Sequence, residues 1–483
     1  MSLRDLMRPA TAAALALTLA GCAGLAPERP QPVLAVPAAS WQAPLPHGGE
    51  VGQLQRWWQQ FDDPLVADLV QATQAASPNL AAGTARIEQA RAASVAAGAA
   101  RGPLVDAAAG LSRSRGDPSM SAASSSLSAR LQAGWEIDLF GARAAGADAA
   151  MLRLQSAQAG WHEARVATAA EVALMYVNLR ACEAQLGQIE QDAASRAETA
   201  RLTEMAARGG LLARSSQDLA RASAAQARAA IVQQRIVCDA AVKALVALTD
   251  IPEPSLRQRL AERRGQLPRP AVLSVAQVPA AALAQRPDLY AAERDVVAAA
   301  ADVAQTDAQR LPRIALAGSL GAARTTVGSF SASGSVWSLG PLQVTLPVFD
   351  GGVRRAELAA ARARYDAAVS AYAARLRNAV RETEEALLVL QGDALREPDL
   401  RAAADGFISS WRATETRQRA GVATLFELED ARRSALASQS ALIELQRERV
   451  GAWILLYRSL GGGWSADETR ASTSGTSATS IKP

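Results

Sequence analysis

Apolar positions in this chain change their spacing in a fixed order, and each spacing predicts an element. From Pro78 to Ala100 they recur at helical intervals until Arg101-Gly102-Pro103 ends the run. Alternation then takes over, and Leu104–Arg115 and Ser126–Phe140 read as two strands. Leu127, Ala129, Leu131, Ala133, Trp135, Ile137 and Leu139 share one face of the second. Gly116-Asp117-Pro118 and a Ser-rich loop join the pair. From about Gly141 to Ala207 no proline occurs, and Ala, Arg, Glu, Gln and Leu predict one helix about 100 Å long. A returning helix runs from about Ser215 to Leu248 and stops at Asp250-Ile251-Pro252.

The same order is then written again 209 positions later. Pro78-Asn79-Leu80 returns as Pro287-Asp288-Leu289, Pro103 as Pro312, Phe140 as Phe349 and Asp218 as Glu427. The second copy predicts a helix at Asp288–Arg310 and strands at Arg313–Arg324 and Ser335–Phe349, joined by a Gly/Ser loop. Leu342, Val344, Leu346 and Val348 alternate in the second of these strands. A helix follows at Val353–Gln391, with a break at Gly392–Pro398, a continuation to Arg419 and a return from Thr424 to Leu460. In that return Leu428, Ala435, Leu442 and Leu456 fall on one seven-residue series, and Ala431, Ser438, Leu445 and Ala452 on its partner. For this helix alone the series equally fits a plain amphipathic core helix; paired with its counterpart at such lengths, it predicts the seam of an antiparallel coiled coil.

Strands of roughly 10–14 residues match tilted outer-membrane strands, and Trp135 and Trp337 suit an interfacial aromatic girdle. Open edges are not tolerated in lipid, and the smallest such barrels have about eight strands. Four strands per chain therefore predict assembly, as a dimer of eight strands or a trimer of twelve. The fold class expected is mainly α with a transmembrane β-barrel part.

The ends and the charge narrow the picture. Arg4 and Arg8 precede an apolar run that closes on Leu19-Ala20-Gly21-Cys22, which reads as an export signal. That ending resembles a bacterial lipobox, in which Cys22 is acylated; the alternative is an ordinary small-residue cleavage site. Ala26 to His47 is Pro/Ala-rich and predicts a semi-extended spacer. The organisation expected is signal 1–21, lipidated spacer 22–56, first repeat 57–250, linker 251–285, second repeat 286–464 and a Ser/Thr-rich disordered tail 465–483. A net charge of +4 without a basic run gives no support to nucleic-acid binding. After the signal, no stretch of about 18 apolar residues offers a transmembrane helix.

Taken in order, several fragments resemble the TolC-like outer-membrane efflux proteins, specifically their NodT-like lipoprotein subfamily, over nearly all of Trp57–Trp464. They are Trp57-Trp58 with Phe61-Asp62-Asp63-Pro64, Trp135-Glu136-Ile137-Asp138-Leu139-Phe140-Gly141, Arg286-Pro287-Asp288-Leu289, Leu346-Pro347-Val348-Phe349-Asp350-Gly351-Gly352, Arg419-Ala420-Gly421-Val422 and Leu460-Gly461-Gly462-Gly463-Trp464. The resemblance implies a homotrimer sharing a twelve-stranded barrel and a periplasmic helical tunnel. It implies docking on a periplasmic adaptor and an inner-membrane pump, with outer-membrane lipid around the barrel and the energy supplied elsewhere. Two other readings remain: a duct for type I secretion of polypeptides, and a periplasmic coiled-coil lipoprotein without a channel.

No enzyme constellation is legible. The histidines are His47, in the spacer, and His162, a solvated or partly packed helix residue beside Glu163. No phosphate-binding glycine loop, Cys-X-X-Cys or metal-spaced cluster is present, so neither a metal nor a cofactor is expected beyond the lipid on Cys22. Gly461-Gly462-Gly463 reads as a chain stop. Cys182 and Cys238 stand equally far from Gly210, the expected hairpin tip, and so lie at one height of an antiparallel pair. A disulfide is expected there in an oxidising compartment, against two buried thiols.

The tips, Gly209 and Gly210 in the first copy and Gly421 in the second, are expected to contact the adaptor. At an offset of 209 the place of Gly421 maps to Leu212, so the first tip departs from the second; Arg208 and Arg214 flank it. The resemblance places the family's apolar ring on Phe426 and its aspartate ring on Asp430, beside Glu427. Three copies of such a carboxylate around one axis would narrow the closed end and raise local cation concentration. The other reading makes Glu427, Glu429 and Asp430 a solvated helix face paired with Arg432 and Arg433.

Overall fold

The computed structural model describes residues 29–32, 34–36, 41–43, 54–115, 123–270 and 283–465. The export signal, Cys22, His47, the Gly116-Asp117-Pro118 loop and the tail from 466 onward lie outside the described residues. The chain forms α1 (Leu65–Ala76), α2 (Pro78–Ala99), β1 (Leu104–Ser114), β2 (Ser124–Ile137), α3 (Ala142–Arg208), α4 (Arg214–Thr249) and α5 (Glu253–Ala261). It continues with α6 (Pro287–Ala308), β3 (Arg313–Val327), β4 (Phe330–Thr345), α7 (Val353–Arg419) and α8 (Leu425–Ser459). Short 3-10 turns stand at Leu54–Gln60 and Gly461–Gly463.

Two compact bodies result, and they do not coincide with the two repeats. One gathers Ala85–Gln158 and Ala291–Ala373; the other gathers the described residues of Val36–Thr84, Ala159–Tyr290 and Ala374–Pro483. The repeats interleave because their parts pair with each other across the duplication. In the first body β2, from the first copy, lies antiparallel to β3, from the second, in a sheet ordered β1-β2-β3-β4.

The register gives this sheet two chemically distinct faces. Leu111 stands opposite Leu127, and Leu131 opposite Leu320, which in turn faces Trp337. Trp135 pairs with Leu316 and then Leu342, and Ile137 with Ile314 and then Val344. All of these occupy one face, because successive side chains on a strand alternate. The opposite face carries Asp106, Ser112, Ser126, Ser128, Arg130, Gln132, Glu136, Ser319 and Ser338, with Ser–Ser hydrogen bonds of 2.8 Å across β1–β2 and β3–β4. Leu111, Leu339 and Trp337 are each more than 70% exposed, so the apolar face has no protein cover from this chain.

Several expectations shift here. The Gly/Ser segment read as a loop continues as strand, and only Gly328 and Ser329 turn between β3 and β4. Small and hydroxyl residues hold a ladder there because their backbone hydrogen bonds, not side-chain burial, carry the pairing. Trp337 is level in register with Leu320 and Leu131, halfway along the apolar face; Trp135 alone stands near the helix-joined end, its indole donating to Arg101 O at 3.0 Å. The expected break at Gly392–Pro398 is absent, since α7 runs unbroken with Pro398 inside it. Ala394, whose carbonyl loses its helical partner to Pro398, is an exposed residue, on the side of the helix where such a loss costs least. The stretch read as linker 251–285 contains α5, whose Leu256 and Leu260 are fully buried.

In the second body the fragments that carried the resemblance act as joints. Trp57 stacks on Tyr457 at 5.1 Å and meets Phe61 edge-on at 4.8 Å. Asp63 accepts a hydrogen bond from the Tyr176 hydroxyl, which itself accepts from Arg180 Nε at 2.8 Å. Arg286 grips Asp288 through two bonds and donates to the Ser459 carbonyl at 2.9 Å. Gly461 is more than a chain stop: a Cβ there would lie 2.0 Å from the Gln285 carbonyl oxygen, and its φ is +79°.

Candidate functional site

The helical hairpin tips are two copies of one capping device. In the first, Gly210 N–H bonds Ala207 O at 3.1 Å and Leu211 N–H bonds Ala206 O at 2.9 Å. In the second, Gly421 N–H bonds Gln418 O at 3.0 Å and Val422 N–H bonds Arg417 O at 2.9 Å. Both are Schellman caps, which need a left-handed residue, and Gly210 and Gly421 have φ of +75° and +76°. The structural equivalent of Gly421 is therefore Gly210, not Leu212. The expected mismatch arose from carrying the 209-residue offset past Gly351-Gly352. α3 and α7 are both 67 residues long, but α7 starts 211 positions after α3. Gly209 closes the last turn of α3, its N–H bonded to Met205 O at 3.1 Å.

Beyond the tips the copies differ. α4 starts from Ala213, which supplies no side-chain cap, whereas α8 starts from a complete capping box. Thr424 Oγ1 accepts from Glu427 N–H at 3.1 Å, and Glu427 Oε2 accepts from Thr424 N–H at 2.6 Å. The bonds from the Thr424 backbone and hydroxyl lower the Glu427 carboxyl below its usual range. Phe426 beside it is 66% exposed. Asp430 is exposed and meets Arg433 at 3.0 Å. Within one chain, then, Glu427 holds the helix start while Phe426 and Asp430 remain available to a partner or an axis.

Glu429 does not belong to that solvated group. It is buried, and it joins a charge network drawn from three helices. Arg196 donates to Asp192 at 2.7 Å, to Ser223 Oγ at 2.8 Å and to Glu429 Oε2 at 2.7 Å. Arg432, 1% exposed, donates to Glu429 Oε1 at 2.7 Å and to Ser195 Oγ at 2.8 Å. Two guanidinium groups face two carboxylates, so the set is neutral. Burial lowers the Arg432 pKa from its ordinary value while Glu429 and Asp192 oppose that shift. The sequence reading missed this network, taking Glu429 and Arg432 as surface partners. A trace was present: Ser195, Thr199 and Ser223 are small residues at interhelical positions, and they leave room for an arginine head.

Cys182 and Cys238 are joined as a disulfide that ties α3 to α4. His162 is partly packed, edge-on to Trp161 at 5.0 Å; burial, and then Arg165, lower its pKa to about 4. Among the described residues no group of three or more His, Cys, Asp or Glu side chains is placed to hold a metal, and no helix is long and apolar enough to cross a membrane.

A family model described as outer membrane efflux protein matches residues 69–249 and 278–462. The outer membrane protein OprJ of Pseudomonas aeruginosa is 32% identical over 340 residues, 70% of each chain. The solvent efflux pump outer membrane protein SrpC of Pseudomonas putida is 27% identical, covering 94% of this chain and 97% of its own. The solved structure of the outer-membrane channel OprN superposes with a TM-score of 0.82 at 27% identity, over 90% of this chain and 99% of that one.

Proposed function

Because the chain belongs to the outer membrane efflux protein family, we propose that it is the outer-membrane exit channel of a tripartite efflux system, a passive conduit for small toxic organic compounds. The observation that carries this reading is the two-faced sheet: an uncovered apolar face, a polar face, and outer strands β1 and β4 with one neighbour each. Lipid can cover the apolar face, but unpaired backbone at β1 and β4 is not tolerated there. Pairing β4 of one copy with β1 of the next removes those edges, and three copies give a twelve-stranded barrel around a polar lumen. The helical hairpins are the periplasmic part of the protein.

At the tips, three copies of Phe426 and Asp430 narrow the closed end, with Glu427 fixing the helix start behind them. Gly209, Gly210 and Gly421 mark the surface that meets a periplasmic adaptor, and the adaptor links the duct to an inner-membrane pump. Acylation of Cys22 anchors the chain in the same membrane, consistent with the export signal before it. Support for small organic cargo comes from relatives such as SrpC, whose name states solvent efflux. A deletion strain tests the reading: tolerance to organic solvents or antibiotics should drop and return with the wild-type gene. Unchanged tolerance combined with loss of a secreted polypeptide would contradict it.

A further inference from the structure

The charges of the sheet are distributed unevenly, and this points to a second role for its hairpin end. On the apolar face, β2 runs from Ile137 to Leu127 without a charged residue. Those 10 steps span about 34 Å along the strand and about 25 Å of membrane at a tilt near 45°. At the hairpin end of this band the same face carries Arg324 on β3, level with Leu127, and one step further Arg113 on β1; Arg115 directly follows the end of β1. Arg113 stands opposite Ser125, and Arg324 opposite Leu127. Two strand spacings and two residues of rise separate the two backbones by about 12 Å, so their side chains can converge on one group.

The only acids on the four strands are Asp106 and Glu136, which lie on the polar face toward the helix-joined end. Among the described residues no carboxylate pairs with Arg113, Arg115 or Arg324. Arg324 Nε donates to Ser331 Oγ at 3.1 Å, which steadies the head and leaves its terminal nitrogens for another acceptor. At the same level the polar face carries no charged residue; Ser112 is bonded to Ser126 at 2.8 Å and Ser114 to Ser124 at 3.0 Å, beside Val327 and Phe330. A merely solvated rim would need no preference between the faces. Here Arg113 and Arg324 both stand on the membrane side, at headgroup height.

We propose that Arg113, Arg115 and Arg324 form a binding site for the phosphate groups of outer-leaflet glycolipid. Guanidinium groups suit this ligand because they bind phosphate through two parallel hydrogen bonds and keep their charge beside an apolar surface. Hydrocarbon chains of the same lipid would cover Leu111, Leu127 and Leu320. The inference rests on the barrel reading above, with the hairpin turns toward the cell surface.

The test uses full-length protein in detergent, titrated at physiological salt with diphosphoryl lipid A and with the same lipid dephosphorylated. The wild type should prefer the phosphorylated form at least tenfold. The triple variant R113Q/R115Q/R324Q should lose that preference, whereas R113K/R115K/R324K should keep most of it. The variant R221Q/R228Q/R412Q, altered at exposed helical arginines, should bind like wild type. Equal affinity for both lipids, or an unchanged R113Q/R115Q/R324Q variant, overturns the proposal. So does competition by millimolar inorganic phosphate with no dependence on acyl chains, which would make the ligand free anion. Insertion of each variant into liposomes is scored in parallel: wild type that inserts but ignores the phosphates refutes this site alone, and failure to insert refutes the barrel as well.

Discussion

Two neighbouring acids on α8 illustrate how position decides what a carboxylate does. Asp430 is exposed with Arg433 as its partner, so the pair contributes little to stability, and Asp430→Asn should change it by less than about 1 kcal/mol. Glu429 is buried between Arg196 and Arg432, so Glu429→Gln leaves three charges with one carboxylate among them. Breaking a buried set from one side costs about 3–5 kcal/mol, whereas Glu429→Leu with Arg432→Leu keeps charge balance and should cost less. Hydrogen exchange in the first turns of α8 measures both; a double variant worse than the single one would contradict the argument.

Asp393 makes a separate case. Its side chain is 2% exposed, its Oδ2 has no hydrogen-bond partner, and burial, aided by Glu448, raises its pKa to about 6. A folded pKa above the unfolded value of 3.8 means the folded chain binds the proton more tightly. Stability should therefore fall as pH rises from about 4 through 6, by on the order of 2 kcal/mol. Asp393→Asn should flatten that slope and raise the melting temperature at pH 7; an unchanged slope in melting curves across that range would reject it.

At the level of elements, periodicity made the helices, strands and their order legible, because a 3.6-residue or two-residue repeat is written in the sequence itself. Boundaries were lost where propensity and context disagree. The segment 325–334 is poor in apolar residues yet extends β3 and β4, since pairing continues on a face that needs no burial. Pro398 suggested a break, yet α7 continues through it with Ala394, the residue that loses its bond, exposed. The burial of Glu429 and Arg432 was illegible for another reason: it depends on which helix arrives opposite, and no spacing within α8 encodes that. The cysteine pair was legible because equal distance from a hairpin tip is a property of numbering alone.

The disulfide belongs to this scale too. It closes a loop of 56 residues, for which chain entropy gives about 4 kcal/mol and practice about 2–4 kcal/mol. Cys238→Ser should lower stability by that amount, whereas both thiols alkylating without reductant would show that no bridge forms. At the apolar face, Leu131→Asp should hinder insertion, since carboxylates facing lipid near mid-depth are costly. Membrane fractionation shows whether the variant leaves the outer membrane.

For the whole molecule, duplication and closure are one problem. Each copy of the repeat supplies a β-hairpin and a helical hairpin, and the two hairpins of strands pair inside the chain through β2 and β3. What remains is a four-stranded sheet with two open edges, too few strands to close and too apolar on one face to stand in water. The proposed assembly of three chains would resolve both difficulties at once. The most direct test of this account is single-channel recording of the purified protein in planar bilayers, wild type beside Asp430→Ala. The account predicts discrete unitary conductances for both, higher in Asp430→Ala because a ring of carboxylates no longer narrows the tip. Inserted protein that conducts in neither form, or only as unstructured leakage, would contradict it.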